Sequence, residues 1–415
     1  MPRRPRLAIT LGDPCGIGPE LLLGSLQTLN RWADILVVGA RAGVDLLGAG
    51  TPPRVQWRWG AAAREGLPQG LAEGIGASGL WTSPRAGALG AAGSSAGYAT
   101  WLDPTPDIGP GQLRLGTGSA ASGRCAVAAV RLGAELVRSG QADALVTLPL
   151  AKAAVHQAGF PIPGHTEFLQ SLCGSPISRM AFVSPSLSVV LDTVHQSLRS
   201  VVEGLTADRV AETLIFAADR FMQLTGKSGL RVALCALNPH AGENGAFGRE
   251  ETVLDQALLR AEAAFRGFDG TAASAPFASV PSPFGLDPAP PGWSMFDLPA
   301  APAAEAAAAV MAGPRFSGPL PADTLFQRAA RGEFDLVVAL YHDQGLIPIK
   351  VLEPDRAVNL TLGLPYVRTS PDHGTAFDRA GLWTASPANF LEAAALAVRL
   401  AGRAKGQPWP ASLRP

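Results

Sequence analysis

Three of the six histidines in this sequence follow short apolar runs. His195 follows SVVLDTV, His240 follows VALCAL and an Asn-Pro dipeptide, and His342 follows LVVAL and a tyrosine. Such runs are typical of strands buried on both faces of a parallel sheet, and ligands bind at the carboxyl edge of open α/β sheets. Three terminal imidazoles could form a metal site with open positions for a substrate. A histidine after a strand is also commonly an ordinary loop residue, so both interpretations stay open.

Other residues have the donors and charge needed to bind an anion. Gly164 allows a ligand to approach the backbone closely, and His165 and Thr166 offer donors to an oxyanion such as phosphate. The same two residues could equally form a helix cap with a neighbouring imidazole. Lys350 and Arg368, predicted on loops near a strand edge, could bind phosphate or carboxylate. The alternative for each is a solvated surface charge.

A glycine-rich turn follows the first predicted strand, Leu7 to Leu11. The segment 12–20 (GDPCGIGPE) permits a tight turn with exposed amides, and Pro19 suits the first turn of a helix. This turn could bind phosphate or a cofactor. It matches neither the GxGxxG nor the Walker pattern, and a purely structural turn is equally consistent with it.

Asp323, in the segment GPLPADTLF, is a candidate acid or metal-facing carboxylate. Its alternative role is to cap a helix that begins at Thr324.

The elements that would position these residues alternate between helix and strand. Apolar residues recur at helical spacing between Thr206, a predicted N-cap, and Gly226, a predicted stop. Further helices are predicted over 122–138 and 389–400. Strands are predicted over 34–39, 142–148 and 336–340. This alternation predicts βαβ units and therefore an α/β fold.

Length and composition narrow the class of protein. A chain of 415 residues predicts two domains or lobes, and a formal net charge of zero does not favour binding to nucleic acid or to an anionic membrane. Four cysteines without paired spacing are typical of reduced thiols. The basic start has no apolar segment behind it, and no apolar run reaches the roughly 18 residues that a membrane helix needs. We therefore expect a cytoplasmic α/β enzyme without a membrane partner.

Two stretches depart from this pattern. Residues 51–111 are rich in Gly, Ala, Pro and Trp, and residues 267–314 are dominated by Ala, Pro, Gly and Ser. We interpret the second as an insertion. The first contains GSSAG at 93–97, a formal match to the nucleophile motif of serine hydrolases. A flexible loop is the favoured interpretation because no strong strand precedes Ser95.

Six motifs occur in the order GDPCGIGPE, PGHTEFL, LNPHAGENGAFGREE, GPLPADTLF, YHDQGLIPIK and VNLTLGLPYVRTSPDHGTAFDRAG. Together they resemble the 4-hydroxythreonine-4-phosphate dehydrogenase family of pyridoxal phosphate biosynthesis. The first and last also resemble loops of isocitrate and isopropylmalate dehydrogenases. The resemblance implies a two-lobed fold with a mixed, largely parallel sheet and an active site in the interlobe cleft. The first lobe, on the cofactor side, would comprise 1–120 and 320–415. The second, with the metal loops, substrate loops and dimer contacts, would comprise 121–319.

The resemblance also implies roles for individual residues. The divalent-metal ligands would be His195, His240 and His342, the third being supplied by the other subunit of a homodimer. The substrate contacts would be His165, Thr166, Lys350, Asn359 and Arg368. The cofactor-binding residues would be Gly12, Asp13, Gly16, Asp372, His373, Gly374 and Thr375. Lys152 and Asp323 are candidates for proton transfer.

The activity that the resemblance implies is oxidation of 4-phosphooxy-L-threonine by NAD or NADP with one divalent metal, Zn, Mg or Co. The resulting 3-oxo acid would lose carbon dioxide to give 3-amino-2-oxopropyl phosphate. Threonate or erythronate 4-phosphate, or a diol, are alternative substrates. A serine hydrolase using Ser95 and a non-catalytic binding protein are the alternatives from other functional classes.

Overall fold

The computed structural model describes residues 4–48, 55–56, 60–61, 80–83, 87–88, 99–266 and 313–404. The described residues fall into two compact units. Those up to Gly174 and from Leu364 onward form the first unit, and those from Ser175 to Gly363 form the second. The boundaries thus differ from those expected near residues 120 and 320. The segment 121–174 belongs with the N-terminal part because its strand pairs directly with the first strand of the chain.

A mixed, largely parallel sheet forms the centre of the first unit. Its strand order is β15-β8-β1-β2-β7-β5-β4, parallel from β15 to β7 and antiparallel beyond. Two further short strands, β3 and β6, pair with each other. The strands are β1 (Arg6–Thr10), β2 (Asp34–Val38), β3 (Val55–Gln56), β4 (Gly60–Ala61), β5 (Leu80–Ser83), β6 (Gly87–Ala88), β7 (Ala99–Leu102), β8 (Ala144–Thr147) and β15 (Val367–Pro371).

Helices of the first unit pack on this sheet through apolar faces. Val127 and Val130 of the long helix lie in one buried cluster with Leu145 of β8, which anchors that helix over the parallel strands. Ser119 caps the same helix, since its side chain accepts a hydrogen bond from the Ser122 backbone N–H. The helices are α1 (Gly18–Trp32), α2 (Arg41–Gly48), α3 (Ala120–Arg138), α4 (Lys152–Gln157), α5 (His165–Cys173) and α11 (Ala388–Ala404), with a 3-10 turn at Pro110–Gln112.

The strands of the second unit are also arranged in a mixed sheet. Its order is β12-β11-β13-β10-β9-β14, in which β12 to β10 are parallel and the last two strands are antiparallel to their neighbours. The strands are β9 (Arg179–Val183), β10 (Ser188–Leu191), β11 (Arg231–Cys235), β12 (Arg315–Leu320), β13 (Leu336–Ala339) and β14 (Val358–Leu362). The helices are α6 (Leu198–Glu203), α7 (Ala207–Thr225), α8 (Glu251–Ala264), α9 (Ala322–Ala330) and α10 (His342–Leu352), with a 3-10 segment at Pro239–Gly245.

The α/β class and the mixed, largely parallel sheet are confirmed. Thr206 caps α7 through its side-chain oxygen, and Gly226 ends that helix in the left-handed conformation, both as predicted. The alternative roles as helix caps that were open for His165, Thr166 and Asp323 are not found. Gly164 is the N-cap of α5, so Thr166 lies inside that helix, and Pro321 is the N-cap of α9, so Asp323 lies in its first turn.

Two sequence predictions lie outside the described residues, namely the motif at 93–97 with Ser95 and nearly all of the proposed insertion at 267–314. Among the helices that the structure describes, none is both long enough and apolar enough to cross a membrane.

Candidate active site

The three strand-end histidines follow three adjacent strands of the second unit. β13 lies between β10 and β11 and is parallel to both, so the three carboxyl ends lie at one edge of the sheet. The imidazole rings of His195 and His342 have their centroids 5.6 Å apart, with the ring planes inclined by 41°. Nδ1 of His342 lies 2.7 Å from Oδ1 of Asp343. The structure therefore brings two of the three predicted metal ligands together within one chain.

His240 lies in a loop with an unusual backbone. Residues 240–244 all have positive φ values, from 44° to 78°, in the left-handed region that non-glycine residues seldom adopt. A buried carboxylate holds the start of this loop, because Glu251 accepts hydrogen bonds from the backbone N–H groups of Leu237 and Asn238 at 3.2 and 2.8 Å. Nδ2 of Asn238 also donates to Glu251, at 2.9 Å.

The described part of the chain does not gather a complete metal site. Within it, no three His, Cys, Asp or Glu side chains lie close enough together to hold a metal ion. The donor chemistry nevertheless suits a divalent transition metal, since imidazole is a good ligand for zinc and for its neighbours in the first row. His195 and His342 thus provide a two-nitrogen set that needs a further ligand.

Gly345 allows helix α10, which begins with His342, to lie close to the sheet. A Cβ atom at this position would lie 2.8 Å from side-chain carbons of both Leu191 and Val189, and 3.1 Å from Cβ of Ala339. Real Cβ atoms essentially never approach other atoms more closely than 3.0 Å. A larger residue would therefore push the first turn of α10 away from β10 and β13, and His342 with it.

Arg368 lies in the interior of the first unit. Its side chain is 2 % exposed and projects from β15, where Nε and one terminal nitrogen donate to Oγ1 of Thr147 at 3.1 and 2.6 Å. Burial lowers the pKa of the guanidinium to about 10, against smaller opposing effects of Tyr366 and Glu167. Arg368 is therefore charged at neutral pH inside the protein, where Glu167 lies near enough to favour the charged form.

His165 and Lys152 lie near this buried charge. Burial, followed by the positive charges of Arg368 and Lys152, lowers the pKa of His165 well below its ordinary value of 6.5. The imidazole is consequently neutral at physiological pH, and its Nε2 is buried without a hydrogen-bond partner among the described residues. Gly164 permits the close packing, since a Cβ there would lie 2.9 Å from Oε2 of Glu167 and 3.9 Å from Cε of Lys152.

Together, Lys152, His165, Thr166 and Arg368 form a concentration of donors and positive charge in the first unit, which we call the anion group. Thr166, at 7 % exposure, is the second residue of helix α5. The N-terminus of that helix adds free backbone N–H groups and the positive end of its dipole. An oxyanion such as a phosphate would compensate the buried charge of Arg368.

The two segments predicted to bind the cofactor contact each other in the first unit. The Ile17 backbone N–H donates to the carbonyl of Thr375 at 3.0 Å, and a Cβ on Gly16 would lie 2.9 Å from the same oxygen. Nε2 of His373 is buried without a hydrogen-bond partner in the part of the chain described, and the space beside Gly374 is open. A buried ring nitrogen without a partner among the described residues, beside an open backbone, is consistent with a bound ligand at residues 372–375.

Gly12 and Asp13 are engaged in packing of their own. Gly12 has a φ of +71°, and a Cβ there would lie 2.1 Å from the carbonyl oxygen of Pro149, so only glycine fits. Asp13 is buried and accepts hydrogen bonds from the Cys15 backbone N–H and from Oγ of Ser122, at 2.9 and 3.0 Å. Both residues therefore fix the shape of the turn.

The remaining predicted site residues lie in regular structure and not in loops. Lys350 is an exposed residue in the last turn of α10, and Asn359 is in β14. The expectation that Lys350 and Arg368 lie on loops is wrong, and Arg368 is not a solvated surface charge. Asp323 is exposed in the first turn of α9, and Lys152 begins α4.

Comparison with known proteins identifies the family. The family model described as pyridoxal phosphate biosynthetic protein PdxA matches residues 94–279 and 300–397. The chain belongs to the PdxA family. It is 37 % identical over 401 residues to the 4-hydroxythreonine-4-phosphate dehydrogenase of Xanthobacter autotrophicus, an alignment covering 95 % of this chain and 93 % of the relative.

Two other PdxA-family proteins show how far the similarity extends. The D-threonate 4-phosphate dehydrogenase of Salmonella typhimurium is 35 % identical over 399 residues, which cover 95 % of this chain and 97 % of that protein. The crystal structure of 4-hydroxythreonine-4-phosphate dehydrogenase from Klebsiella pneumoniae superposes with a TM-score of 0.69 at 31 % identity, covering 96 % of this chain and 98 % of that one. As a member of this family of dehydrogenases, the chain is an oxidoreductase, and its family implies the use of NAD(P).

Sequence reasoning missed three buried polar residues that lie near the candidate site residues of their own unit. Thr147, Thr193 and Gln344 are buried polar residues at or just beyond the carboxyl ends of strands, and each hydrogen-bonds to a neighbouring element. A polar residue directly after an apolar run is the only sequence feature that could have indicated them. Their partners are distant in sequence, so that feature could not have predicted the contacts.

Proposed function

We propose that this enzyme oxidises 4-phosphooxy-L-threonine with NAD(P)+ and a divalent metal, and that the 3-oxo acid formed loses carbon dioxide. The observation that carries the proposal is the placement of His195, His342 and His240 after three adjacent parallel strands, with the first two rings 5.6 Å apart. The names of the relatives from Xanthobacter autotrophicus and other bacteria support this substrate.

A second candidate substrate is D-threonate 4-phosphate. Relatives named for it are 35 % identical to this chain over 95 % of its length, against 37 % for the first relative. Both substrates carry a phosphate on C4 and a hydroxyl on C3. The neighbouring carbon, C2, bears the carboxylate. The same metal and anion sites would bind both substrates. Selectivity between them would therefore depend on the contacts that the protein makes with the amino group or the hydroxyl group at C2.

The metal would be held by neutral imidazoles. His195 and His342 of one chain would supply two nitrogens, and we propose that the third, from His240, comes from the partner subunit. This assignment differs from the expectation that the last histidine of the three is donated across the dimer, because His342 already lies beside His195 in its own chain. When bound, a divalent metal lowers the pKa of a coordinated hydroxyl and polarises the ketone that forms.

The anion group would bind the phosphate. Arg368 presents a planar, charged fork, Thr166 a hydroxyl, and His165 a neutral imidazole whose Nε2 is buried without a partner among the described residues. Charge-assisted bonds from such groups contribute about 1.5–3 kcal/mol each. Holding the phosphate would position the reacting C3 carbon of the substrate. Lys350 and Asn359 are proposed as further substrate contacts on the resemblance of their motifs.

Two groups are proposed for the proton movements. A base must take the proton of the C3 hydroxyl as hydride leaves C3 for NAD(P)+, and an acid must later protonate the carbon from which carbon dioxide has departed. Asp323 is exposed and available as a base, and the Lys152 ammonium beside His165 is available as an acid. The dinucleotide is proposed to bind along residues 372–375 and the neighbouring turn at Gly12 and Gly16.

A homodimer is supported by exposed apolar residues in the second unit. On α10, Ile347 and Val351 are 60 % and 75 % exposed and lie one helical turn apart. On α6, Leu198 and Val202 are 62 % and 44 % exposed with the same spacing. These four residues form what we call the apolar ridges. They lie on the helix that begins with His342 and on the helix that follows the segment bearing His195, so a second copy that covered them would lie next to the proposed metal site.

The activity is tested by NAD(P)H formation at 340 nm. Metal-free enzyme is assayed with 4-phosphooxy-L-threonine and with D-threonate 4-phosphate, with NAD+ or NADP+, before and after addition of Zn2+, Mg2+ or Co2+. Metal-dependent reduction is expected, with the higher kcat/KM for 4-phosphooxy-L-threonine. A higher kcat/KM for D-threonate 4-phosphate would replace the substrate assignment, and reduction that persists in excess chelator would refute the metal.

The dimer is tested by sedimentation velocity. Ile347→Glu and Val351→Glu should shift the enzyme toward the monomer and reduce activity with it, because each places a charge in the covered surface. Leu259→Glu is the matched control, since Leu259 is also 60 % exposed but lies on α8, outside the apolar ridges. Unchanged sedimentation of both ridge variants would refute this interface.

A further inference from the structure

Thr193 ties together the segments that carry two of the histidines. Its side chain is 5 % exposed, and Oγ1 donates to the carbonyl of Leu340 at 2.7 Å. Thr193 comes two residues before His195, and Leu340 two residues before His342. The bond therefore joins equivalent points of the two segments just before each histidine.

Gln344 makes a second connection of the same kind. It is 8 % exposed and lies in the first turn of α10. Its Oε1 accepts from the Leu340 backbone N–H at 2.7 Å, and its Nε2 donates to the carbonyl of Ala236 at 2.8 Å. Ala236 directly follows β11, the strand that leads to His240. One side chain thus connects the end of β13 with the end of β11.

Both connections begin where the strand pairing ends. The register of β10 with β13 extends to Leu191 and Ala339, and that of β11 with β13 extends to Leu234 and Val338. One more backbone bond follows, from Asp192 N–H to the Ala339 carbonyl at 2.8 Å. Beyond these points the side-chain bonds of Thr193 and Gln344 connect the segments that lead to the three histidines.

The spacing matters because metal–nitrogen bonds tolerate little variation. Zinc–imidazole distances are about 2.0–2.1 Å, so displacement of one strand end by a fraction of an ångström weakens the whole set. Loss of groups that orient metal ligands typically lowers metal affinity by about 10- to 100-fold. A buried hydrogen bond to a backbone carbonyl is well suited to this task, because its partner cannot change rotamer.

We propose that Thr193 and Gln344 are positioning residues. They hold His195 and His342 in the arrangement that binds the metal, and Gln344 also fixes the start of the loop whose His240 would complete the partner subunit's site. This inference rests on the metal site of the proposed function. Two buried side chains would control the geometry of that site through their hydrogen bonds, without contacting the metal or the substrate.

The test measures Co2+ binding to the metal-free full-length enzyme, by titration calorimetry and by the visible absorption of the bound ion. Thr193→Val and Gln344→Met keep the side-chain volume and remove the bonds. Each should weaken Co2+ binding about tenfold or more and alter the visible bands. Thr193→Ser restores the hydroxyl and should bind Co2+ within about twofold of the wild type.

Thr369→Val is the matched control. Thr369 is fully buried in the first unit, and its Oγ1 donates to the Ala393 carbonyl at 2.8 Å, so the substitution removes a bond of the same type and length. It should lower stability as Thr193→Val does while leaving Co2+ affinity unchanged. If Thr193→Val does not fold, Gln344→Met carries the test. Thr193→Ser would then also be informative, since weak binding by that variant would refute the role of the hydroxyl.

The outcomes separate this inference from the function on which it rests. Wild-type Co2+ binding that is lost in His195→Ala, but retained in Thr193→Val and Gln344→Met, would overturn the positioning role and leave the metal site standing. A wild-type enzyme that binds no Co2+, or a His195→Ala variant that binds it equally well, would overturn the metal site and the positioning role together.

Discussion

Replacing Arg368 with methionine should weaken substrate binding about 10- to 100-fold and destabilise the protein by no more than about 2 kcal/mol. The guanidinium is 2 % exposed, and burial lowers its pKa from 12.5 to about 10. Because one pKa unit corresponds to about 1.4 kcal/mol, the folded state bears a cost of about 3 kcal/mol for keeping this group charged. The cost applies at every pH below about 10, since a base with a depressed pKa is disfavoured in its protonated form, and it diminishes between about pH 10 and 12.5.

Arg368→Met removes the cost of the buried charge, which favours the folded state, and it also removes hydrogen bonds, which disfavours it. Thr147 would lose two hydrogen bonds, and an unsatisfied hydroxyl of this kind costs about 1–3 kcal/mol. Because Arg368 makes contacts besides these two bonds, we expect the free energy of unfolding to change by no more than about 2 kcal/mol in either direction. Substrate binding should weaken about 10- to 100-fold, because the phosphate loses charge-assisted bonds worth about 1.5–3 kcal/mol.

Two measurements together test the reasoning about Arg368. The KM for 4-phosphooxy-L-threonine and the inhibition constant of inorganic phosphate report on anion binding, and urea unfolding reports on stability. Arg368→Lys should show an intermediate KM, because it keeps the charge and loses the planar fork. Arg124→Met, which removes an exposed arginine of α3, should change neither quantity.

The result that would refute this account is a stable, active Arg368→Met enzyme with an unchanged phosphate inhibition constant. Destabilisation by more than about 2 kcal/mol would also contradict it, because the buried cation would then be a structural element and not a functional cost.

Four further predictions concern substitutions of single residues. The depressed pKa of His165 means that the folded state takes up this proton only at low pH. Unfolding free energy should therefore fall below about pH 6.5, by at most about 1.4 kcal/mol per pH unit, and His165→Gln should flatten the loss in urea titrations between pH 7 and 5. Gly345→Ala should cost about 1–3 kcal/mol in urea unfolding and weaken Co2+ binding, and normal values would contradict the close packing of α10. Gly12→Ala should cost more than about 2 kcal/mol because φ is +71°, with a lower Tm by differential scanning fluorimetry. Ser95→Ala should leave NAD(P)H formation unchanged, and a large loss would restore the serine hydrolase hypothesis.

Local sequence patterns determined the regular elements and the candidate ligands. A helix and its ends depend on residues that are close together in the sequence. The sequence therefore predicted the helix with its N-cap at Thr206 and its end at Gly226, and the structure contains both. The positions of His195 and His342 after strands could also be predicted from the sequence, because a strand ends where its apolar run ends.

The tertiary structure decided which of these elements meet. The order β11-β13-β10 interleaves strands distant in sequence, and this order places His342 beside His195. The burial of Arg368 and its bonds to Thr147 depend on the pairing of β15 with β8, which no local pattern specifies. Such contacts depend on how apolar faces pack and how buried donors find acceptors over the whole unit. The surroundings of a buried charge can therefore be known only once the fold is known.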